Sequence, residues 1–397
     1  MERLTNQEKF RPWMGFVFFA ALMVFFLTVC QLLQYYLGMA GLIMTELLFL
    51  GIAVGYCLIR KVKIKEMFPI RKPKVREVFG CLLLMIGGQS LGIVVTALTS
   101  LIFPSSNSTI TELNDFLYGN GLGFFALAII IAILPAVCEE AVHRGAILSH
   151  FRGIKKDWLI VLIMGLFFGI NHVSVLRFGV TAILGAVLTF AVVKSNNLLL
   201  SMLMHLGNNL FSVIVGYFTA STGATEAVGE VNIGSYLGVY LIMACTAPIL
   251  LTLGAMLLDP KNHRKIRFLF AGIAAGIMFI TGFGLVLAQS FKSMNDTLLS
   301  CTYSEDMTEE DKNAEVDFTV DEDRKATVMI IMVEAKGDYK VEIIGDKEGS
   351  VYSADIPKGL SRTINTQLEL PADHYTIRIT GGDNAVGETP FFSINVG

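Results

Sequence analysis

The residues of this sequence that could do chemistry begin with Glu139, Glu140, His143 and Arg144, which follow the apolar run FFALAIIIAILPAV at 124–137. A carboxylate near the middle of a bilayer costs about 2.5–3.5 kcal/mol on insertion scales. Two adjacent carboxylates after so apolar a run therefore predict either a polar bridge between helices or a reacting group.

Three more polar side chains lie in later apolar runs, namely His172, His205 and Asn209. A carboxylate can take a proton from water, imidazoles can orient the water or stabilise charge, and an amide can donate to an oxyanion. Together these groups are what water-activated hydrolysis requires. Hydrogen-bonded bridging between helices and a proton path in a transporter are the alternatives for the same residues. Glu46, in an earlier apolar run, is expected to stand apart from the cluster.

Helical spacing predicts which of these side chains face each other. Glu140 and Arg144 share a helix face at i, i+4 and can form an ion pair. Glu139 points about 100° away from Glu140, toward whatever lies across the bundle. His205 and Asn209 also share a face, so both can point into one cavity.

The elements that carry these residues are predicted to form an all-α polytopic membrane helix bundle. The 397-residue chain is 53% hydrophobic and 16% charged, whereas average soluble domains carry about 25% charged residues. A helix needs roughly 20 mostly apolar residues to cross a bilayer. By that criterion we predict nine transmembrane helices, at 13–37, 40–60, 78–103, 121–149, 158–175, 178–194, 197–219, 234–258 and 267–290.

The charges of the loops predict an orientation for this bundle. Loops 60–76, 150–157 and 259–267 are basic, whereas loops 104–121 and 219–234 contain no Lys or Arg. With nine crossings and a cytoplasmic N-terminus, the positive-inside bias is satisfied at all three basic loops. We therefore predict a multi-pass protein of the cell membrane whose C-terminal part is extracytoplasmic.

Two other classes of site are not indicated. The basic residues flank apolar runs rather than lining one soluble face, so no nucleic-acid partner is predicted. None of the six cysteines forms a CxxC pair, which argues against a disulfide framework and against a zinc knuckle.

The C-terminal part has a different composition. Residues 1–290 carry 21 Lys+Arg and 13 Asp+Glu, whereas 291–397 carry 10 and 21, so net charges of +8 and −11 make up the total of −3. Runs such as YKVEII and HYTIRIT, separated by turn residues, predict about seven short strands. We predict a membrane domain at 1–290, a linker at 291–313 and an extracytoplasmic all-β, sandwich-like domain at 314–397.

Three motifs in the membrane domain resemble a known family. EEAVHR at 139–144 fits EExxxR, FGINH at 168–172 fits FxxxH, and HLGNN at 205–209 fits HxxxN. In this order on successive helices, they resemble the CPBP family of type II CAAX prenyl endopeptidases and bacteriocin-processing or immunity proteases, also called the Abi family. The resemblance covers about residues 121–215, the motif core of the membrane domain.

The resemblance implies a role for each matching residue. Glu139 would be the general base that activates water, with His172 beside it. His205 and Asn209 would stabilise the tetrahedral oxyanion. His143 falls at a variable position of its motif and is expected to have no catalytic role.

The resemblance also implies supporting residues and leaves the cofactor open. Glu140 and Arg144 would form the supporting ion pair. The preferred mechanism needs no cofactor. In the metal-dependent alternative, Glu139, His172 and His205 would surround a divalent ion such as zinc.

Sequence marks of other intramembrane proteases are missing. HExxH is absent, the predicted spans contain no Asp, and no convincing Ser–His pair is present. We predict an intramembrane endopeptidase, glutamate-type or metal-dependent, that acts on a peptide or membrane-protein substrate in the lipid bilayer. A transporter, or a non-catalytic signalling or immunity scaffold using the same polar cluster, is the alternative. Prenyl-protein maturation, peptide processing and self-immunity stay open as roles, as does the oligomeric state.

Overall fold

The fold is that of a computed structural model, which describes residues 10–103, 107–222, 233–262, 265–333 and 335–397. The chain divides into two compact units. Their residues are 1–225 with 231–286 for the first unit and 226–230 with 287–397 for the second.

The first unit is a helix bundle. Among the described residues, eight helical segments are long and apolar enough to cross a membrane, one of them formed by α9 and α10 together, and α6 is a shorter apolar helix. The helices of the chain are α1 Pro12–Leu37, α2 Met39–Ile59, α3 Val75–Ile102, α4 Asn107–Tyr118, α5 Phe124–Ile147, α6 Asp157–Asn171, α7 Val175–Ser195, α8 Leu198–Thr222, α9 Ile233–Ala244, α10 Ala247–Leu258 and α11 Ile266–Asp296.

These helices agree with the predicted spans, with two differences. The predicted span 234–258 consists of α9 and α10, which meet at a break just before Pro248. Proline lacks an N–H group and is tolerated in the first turn of a helix, so it begins α10 rather than continuing α9. The predicted span 158–175 is α6, whose 15 residues make about 22 Å, less than the hydrocarbon core of about 30 Å.

A tight turn joins α6 to α7. Ser174 caps α7 by accepting a hydrogen bond from the backbone N–H of Arg177 at 3.4 Å. Val173 has a φ angle of +46°, in the left-handed region that a β-branched residue rarely adopts. The turn therefore holds His172 at the end of α6, beside the first turn of α7.

Glycines let α6 and α7 approach closely. A Cβ atom on Gly165 would lie 2.8 Å from the carbonyl oxygen of Ala182, and one on Gly169 would lie 2.9 Å from the carbonyl oxygen of Phe178. Larger residues would push the two helices apart. This close packing sets the position of the α6 side chains relative to α7.

Polar contacts join helix ends at one end of the bundle. Lys194, near the end of α7, contacts Asp157 at the start of α6 at 2.8 Å and Asp259 after α10 at 2.6 Å. Arg71, just before α3, donates to Glu77 at 2.6 Å and to the carbonyl oxygen of Ser195 at 2.9 Å. The ends of α7 and α10 therefore lie with the starts of α3 and α6.

A second contact adds α1, α2 and α5 to this end. His150, after α5, lies 2.9 Å from the hydroxyl of Tyr56 in α2 and donates from Nδ1 to the carbonyl oxygen of Arg11 at 3.2 Å. Burial lowers the pKa of His150 to about 4, so its neutral ring accepts from Tyr56. At this end of the bundle, the first residues of one helix thus lie beside the last residues of the next, as expected for antiparallel neighbours.

The second unit is an antiparallel β-sandwich. The two four-stranded sheets have the orders β1-β8-β3-β6 and β2-β7-β4-β5. Buried residues of both sheets share one core that includes Val328, Ile377 and Phe392. The strands are β1 Leu299–Tyr303, β2 Asn313–Val320, β3 Arg324–Met332, β4 Tyr339–Gly345, β5 Gly349–Ile356, β6 Arg362–Leu370, β7 Asp373–Gly381 and β8 Phe392–Val396.

The predicted strands are all present, but the segment predicted as a linker is partly regular structure. Residues 291–313 contain the end of α11 and the whole of β1. Strand β1 pairs with β8, from Leu299 opposite Val396 to Tyr303 opposite Phe392. Its hydrogen-bond partners lie far along the chain, and the local pattern of β1 therefore did not reveal the strand.

Candidate active site

Four of the predicted polar residues lie around one aromatic ring. Phe168, in α6, is fully buried. The guanidinium carbon of Arg144 lies 4.5 Å from the centre of its ring. The ring centres of His172, His143 and His205 lie 4.8, 5.2 and 5.6 Å away. Residues from α5, α6 and α8 are thereby brought to one place, and the FxxxH motif supplies both the ring and one histidine.

Glu140 joins two basic groups. One of its oxygens accepts from Nη1 of Arg144 at 2.7 Å and from Nδ1 of His205 at 3.1 Å. Arg144 also donates from Nη2 to the carbonyl oxygen of Gly185 in α7 at 2.9 Å. The three side chains are almost completely buried. The ion pair expected from the spacing is present, and it extends to a histidine on another helix.

Hydrogen bonds to backbone oxygens orient the other two histidines. His172 donates from Nδ1 to the carbonyl oxygen of Phe168 at 2.7 Å, and His143 donates from Nδ1 to that of Glu139 at 3.0 Å. A neutral imidazole with a proton on Nδ1 carries a lone pair on Nε2. In the described part of the chain, Nε2 of His143 is buried without a hydrogen-bond partner.

Glu139 faces away from Glu140. Its Oε2 atom is buried and has no hydrogen-bond partner among the described residues. The carboxyl group interacts electrostatically with His205 and with Arg177 of α7. Arg177 was not singled out from the sequence, because only the fold brings the first turn of α7 to Glu139.

Glu46 belongs to this cluster, so the expectation that it stands apart is wrong. It is 3% exposed on α2 and interacts electrostatically with Glu139. Its Oε2 atom likewise has no hydrogen-bond partner in the described ranges. The contact depends on the packing of α2 against α5, which the spacing of residues along either helix does not reveal.

The backbone of α5 departs from regular α-helix on both sides of the acidic pair. The π-helical segments Ala128–Ile133 and Ala141–Ile147 flank the α-helical turn Leu134–Glu140. Single π-helical turns inside α-helices often occur at functional sites. In α5 they decide which faces of the helix carry Glu139 and Glu140.

Pro135 explains the contact made by Asn209. Without an N–H group, proline cannot donate to the carbonyl oxygen four residues earlier, which is that of Ile131. Nδ2 of Asn209 donates to this oxygen at 3.1 Å. Its Oδ1 atom accepts from Asn208 at 3.1 Å. One of the two N–H groups of the Asn209 amide is therefore engaged with α5.

The part of the chain that the structure describes offers no ready-made site for the metal-dependent alternative. Within the described ranges, no three or more His, Cys, Asp or Glu residues are grouped so that they could hold a metal ion. Glu139, His172 and His205 do not converge in the way that three zinc ligands would.

Comparison with known families bears on these residues. Residues 121–211 match the family described as type II CAAX prenyl endopeptidase Rce1-like. The segment from Glu139 to Asn209, with all three motifs, lies inside the match. Over these residues the chain is similar to that family, which supports the resemblance to the CPBP intramembrane proteases. The Rce1-like segment runs from α5 into α8, so Glu46 on α2 and the whole β-sandwich lie outside it.

Two further comparisons add little to this. A search of curated proteins finds no significant match to the chain. Among solved structures, the 1.0 Å crystal structure of the pre-peptidase C-terminal domain of collagenase from Bacillus anthracis is similar at 12% identity and a TM-score of 0.20, over 25% of this chain and 90% of that chain.

Proposed function

We propose that this chain, a CAAX-type membrane protease by its Rce1-like segment, hydrolyses a peptide bond in a hydrophobic peptide or membrane protein by using Glu139 to activate water. The observation that supports the proposal is the burial and hydrogen bonding of the Glu139 carboxyl group. Its Oε2 atom is buried and has no hydrogen-bond partner among the described residues, so it is available to accept a proton from a water molecule.

In the proposed reaction, Glu139 takes a proton from water while the water oxygen bonds to the carbonyl carbon of the substrate. His172 presents the Nε2 lone pair to the same water, since its Nδ1 proton is engaged with Phe168. The carbonyl oxygen becomes an oxyanion. When the carbon–nitrogen bond breaks, the carbonyl re-forms and Glu139 returns its proton to the leaving amine.

His205 and Asn209 are proposed to stabilise the oxyanion. Because Nδ1 of His205 donates to Glu140, Nε2 can donate as well only when the ring is cationic. Asn209 donates one N–H to Ile131, which leaves the second N–H of its amide for the oxyanion.

We propose the metal-independent form of this reaction. Support comes from the hydrogen bonds that already orient His172, His205 and Asn209. A zinc ion would need Glu139, His172 and His205 to rearrange toward one point.

We further propose that the N-terminus is cytoplasmic and that the β-sandwich is extracytoplasmic. The alternating helix ends that meet near Arg71, His150 and Lys194 support nine crossings. This end also carries the basic loops, as the positive-inside bias requires. Glu139 precedes His150 by eleven residues, and we propose that the reaction takes place in the inner half of the bilayer and is reached from the cytoplasm.

The proposal is tested with purified protein in proteoliposomes and a library of membrane peptides, analysed by mass spectrometry. Wild-type protein is expected to release cleavage products both with and without a metal chelator. The Glu139→Gln variant is expected to release none of these products under either condition. Products that persist with Glu139→Gln would refute the role of Glu139. Loss of products with chelator alone would replace the metal-independent form by the zinc alternative.

A further inference from the structure

A pocket of about 190 Å³ lies between α10 and the first turn of α11. One water molecule takes up about 30 Å³ of liquid, so the pocket has room for roughly six waters or for one small polar group. The lining consists of one face of the last two turns of α10, the residue after α10 and the second residue of α11, namely Leu251, Thr252, Ala255, Met256, Asp259 and Arg267. These six residues lie outside the matched segment 121–211 and outside the candidate active site.

The packing of α11 explains why the pocket lies at this place. A Cβ atom on Gly238 of α9 would lie 2.7 Å from the carbonyl oxygen of Gly282 in α11, and one on Gly282 would lie 2.6 Å from that of Gly238. Arg267 precedes Gly282 by fifteen residues, or about 22 Å of helix. Helix α11 therefore touches α9 closely at the two glycines, and near its own start it leaves room beside α10.

The charges around the pocket suit an anion. The one carboxylate of the lining, that of Asp259, is paired with Lys194 at 2.6 Å. Arg267 adds an exposed cation in the first turn of α11. The first N–H groups of a helix have no partner within the helix, and the helix dipole is positive at this end. An arginine beside such a helix start provides the donors that a phosphate group binds.

The surroundings of Arg267 favour a membrane lipid as the source of this phosphate. Ile266, Leu269 and Phe270 on the first turns of α11 are exposed apolar residues. The pocket also lies at the end of the bundle that carries the basic loops, since Asp259 and Lys194 belong to that end. A cation next to exposed apolar side chains matches the boundary between lipid headgroups and acyl chains, where basic pockets between membrane helices bind anionic headgroups.

We propose that this pocket binds the headgroup of an anionic glycerophospholipid. The guanidinium of Arg267 donates to the phosphate oxygens, together with N–H groups of the first turn of α11. Leu251, Ala255 and Met256 contact the apolar part of the lipid next to the headgroup. This inference does not depend on the proposed peptidase function, and binding is measured without any assay of cleavage.

The test is native mass spectrometry of the full chain in detergent, titrated with phosphatidylglycerol or with phosphatidylcholine of the same acyl chains. Both lipids carry a phosphate, but only phosphatidylglycerol has a net negative charge. We expect the Kd of the wild type for phosphatidylglycerol to be about tenfold below that for phosphatidylcholine, as one charge-assisted hydrogen bond provides. Equal Kd values for the two lipids overturn the inference.

Two substitutions in the pocket test its charge and its space separately. Arg267→Gln is expected to raise the Kd for phosphatidylglycerol about tenfold, and Arg267→Lys to raise it less, because lysine keeps the charge but not the planar donor fork. Ala255→Leu keeps every charge and fills the pocket, so it should weaken binding as well. Size-exclusion profiles equal to that of the wild type show that each variant is folded.

Arg76 provides the matched control. It is an exposed arginine at the second residue of α3, which starts at the same end of the bundle. Arg76→Gln should leave the Kd for phosphatidylglycerol unchanged. An equal loss with Arg76→Gln and Arg267→Gln would show that the basic end as a whole attracts the lipid, which overturns the pocket as its site.

The remaining outcomes also decide on the inference. Wild-type affinity in Arg267→Gln or in Ala255→Leu overturns the assignment of the lipid to this pocket. Displacement of phosphatidylglycerol by excess inorganic phosphate would show that the site takes a free phosphate ion and would overturn the lipid as its occupant. Binding of phosphatidylglycerol that persists in excess phosphate and is lost in both pocket variants is the expected result.

Discussion

Glu140 shares one oxygen between Arg144 and His205, and both partners depend on its charge. Breaking a buried ion pair by removal of one partner costs about 3–5 kcal/mol, because the other charge stays buried. We predict that Glu140→Gln lowers the unfolding free energy by about this amount. The measurement is thermal unfolding of the purified protein in detergent.

Glu66 provides the control for this change. Its ion pair with Lys63 is exposed, at 3.7 Å, and exposed pairs contribute about 0–1 kcal/mol. Glu66→Gln should therefore unfold close to the wild type. If Glu140→Gln unfolds at the same temperature as Glu66→Gln, the buried pair does not hold the cluster together.

Residues of the site could be predicted from the sequence to the extent that their partners lie on the same helix. The Glu140–Arg144 pair followed from i, i+4 spacing alone, and the motifs named the histidines. Glu46 and Arg177 could not be found in this way, because α2 and α7 bring them to Glu139 only through tertiary packing.

At the scale of elements, Pro135 and Asn209 connect α5 to α8. We predict that Asn209→Ala lowers stability by about 1–3 kcal/mol, because the Ile131 carbonyl loses this donor. Adding Pro135→Ala restores a backbone N–H four residues after Ile131, so the double variant should regain stability. Peptide cleavage should not return, since the amide proposed for the oxyanion is still missing.

This double-mutant cycle is checked by denaturation curves and cleavage assays. The proteins compared are the wild type, Asn209→Ala, Pro135→Ala and the double variant. Additive losses of stability in the double variant would show that Pro135 and Asn209 do not act on the same carbonyl. Recovery of cleavage along with stability would assign Asn209 a structural role alone.

The α6–α7 turn also leads to a prediction. Val173 is 54% exposed and has positive φ, a strain of about 1–3 kcal/mol for such residues. Glycine adopts this conformation freely, so Val173→Gly should raise the unfolding temperature. Val175→Gly, at a similarly exposed valine that begins α7, should lower it. A lower unfolding temperature for both variants would contradict strain at Val173.

Elements with a strong local pattern were predictable, and those that depend on distant partners were not. Apolar runs predicted the long helices, and alternation predicted seven strands. The short length of α6 depends on the turn at His172 and Val173, and β1 depends on pairing with β8. In both cases the deciding contact lies outside the segment itself.

At the scale of the whole molecule, charge separates a basic membrane part from an acidic β part. The proposed topology is tested by introducing Lys65→Cys or Glu322→Cys, both at exposed positions, into a variant without the six native cysteines. In intact cells, a membrane-impermeant maleimide should label the cysteine at 322 and leave that at 65 unlabelled until lysis. Labelling of the cysteine at 65 but not of that at 322 in intact cells would contradict the proposed topology and support the opposite orientation.

The central claim is that Glu139 activates water for peptide hydrolysis within the membrane. The most direct test compares, by mass spectrometry, the N-termini of membrane-fraction proteins from cells that express the wild type or Glu139→Gln at equal levels. We predict new N-termini with the wild type that are missing with the variant. Identical sets of N-termini from the two folded proteins would contradict the claim and favour a transporter or scaffold.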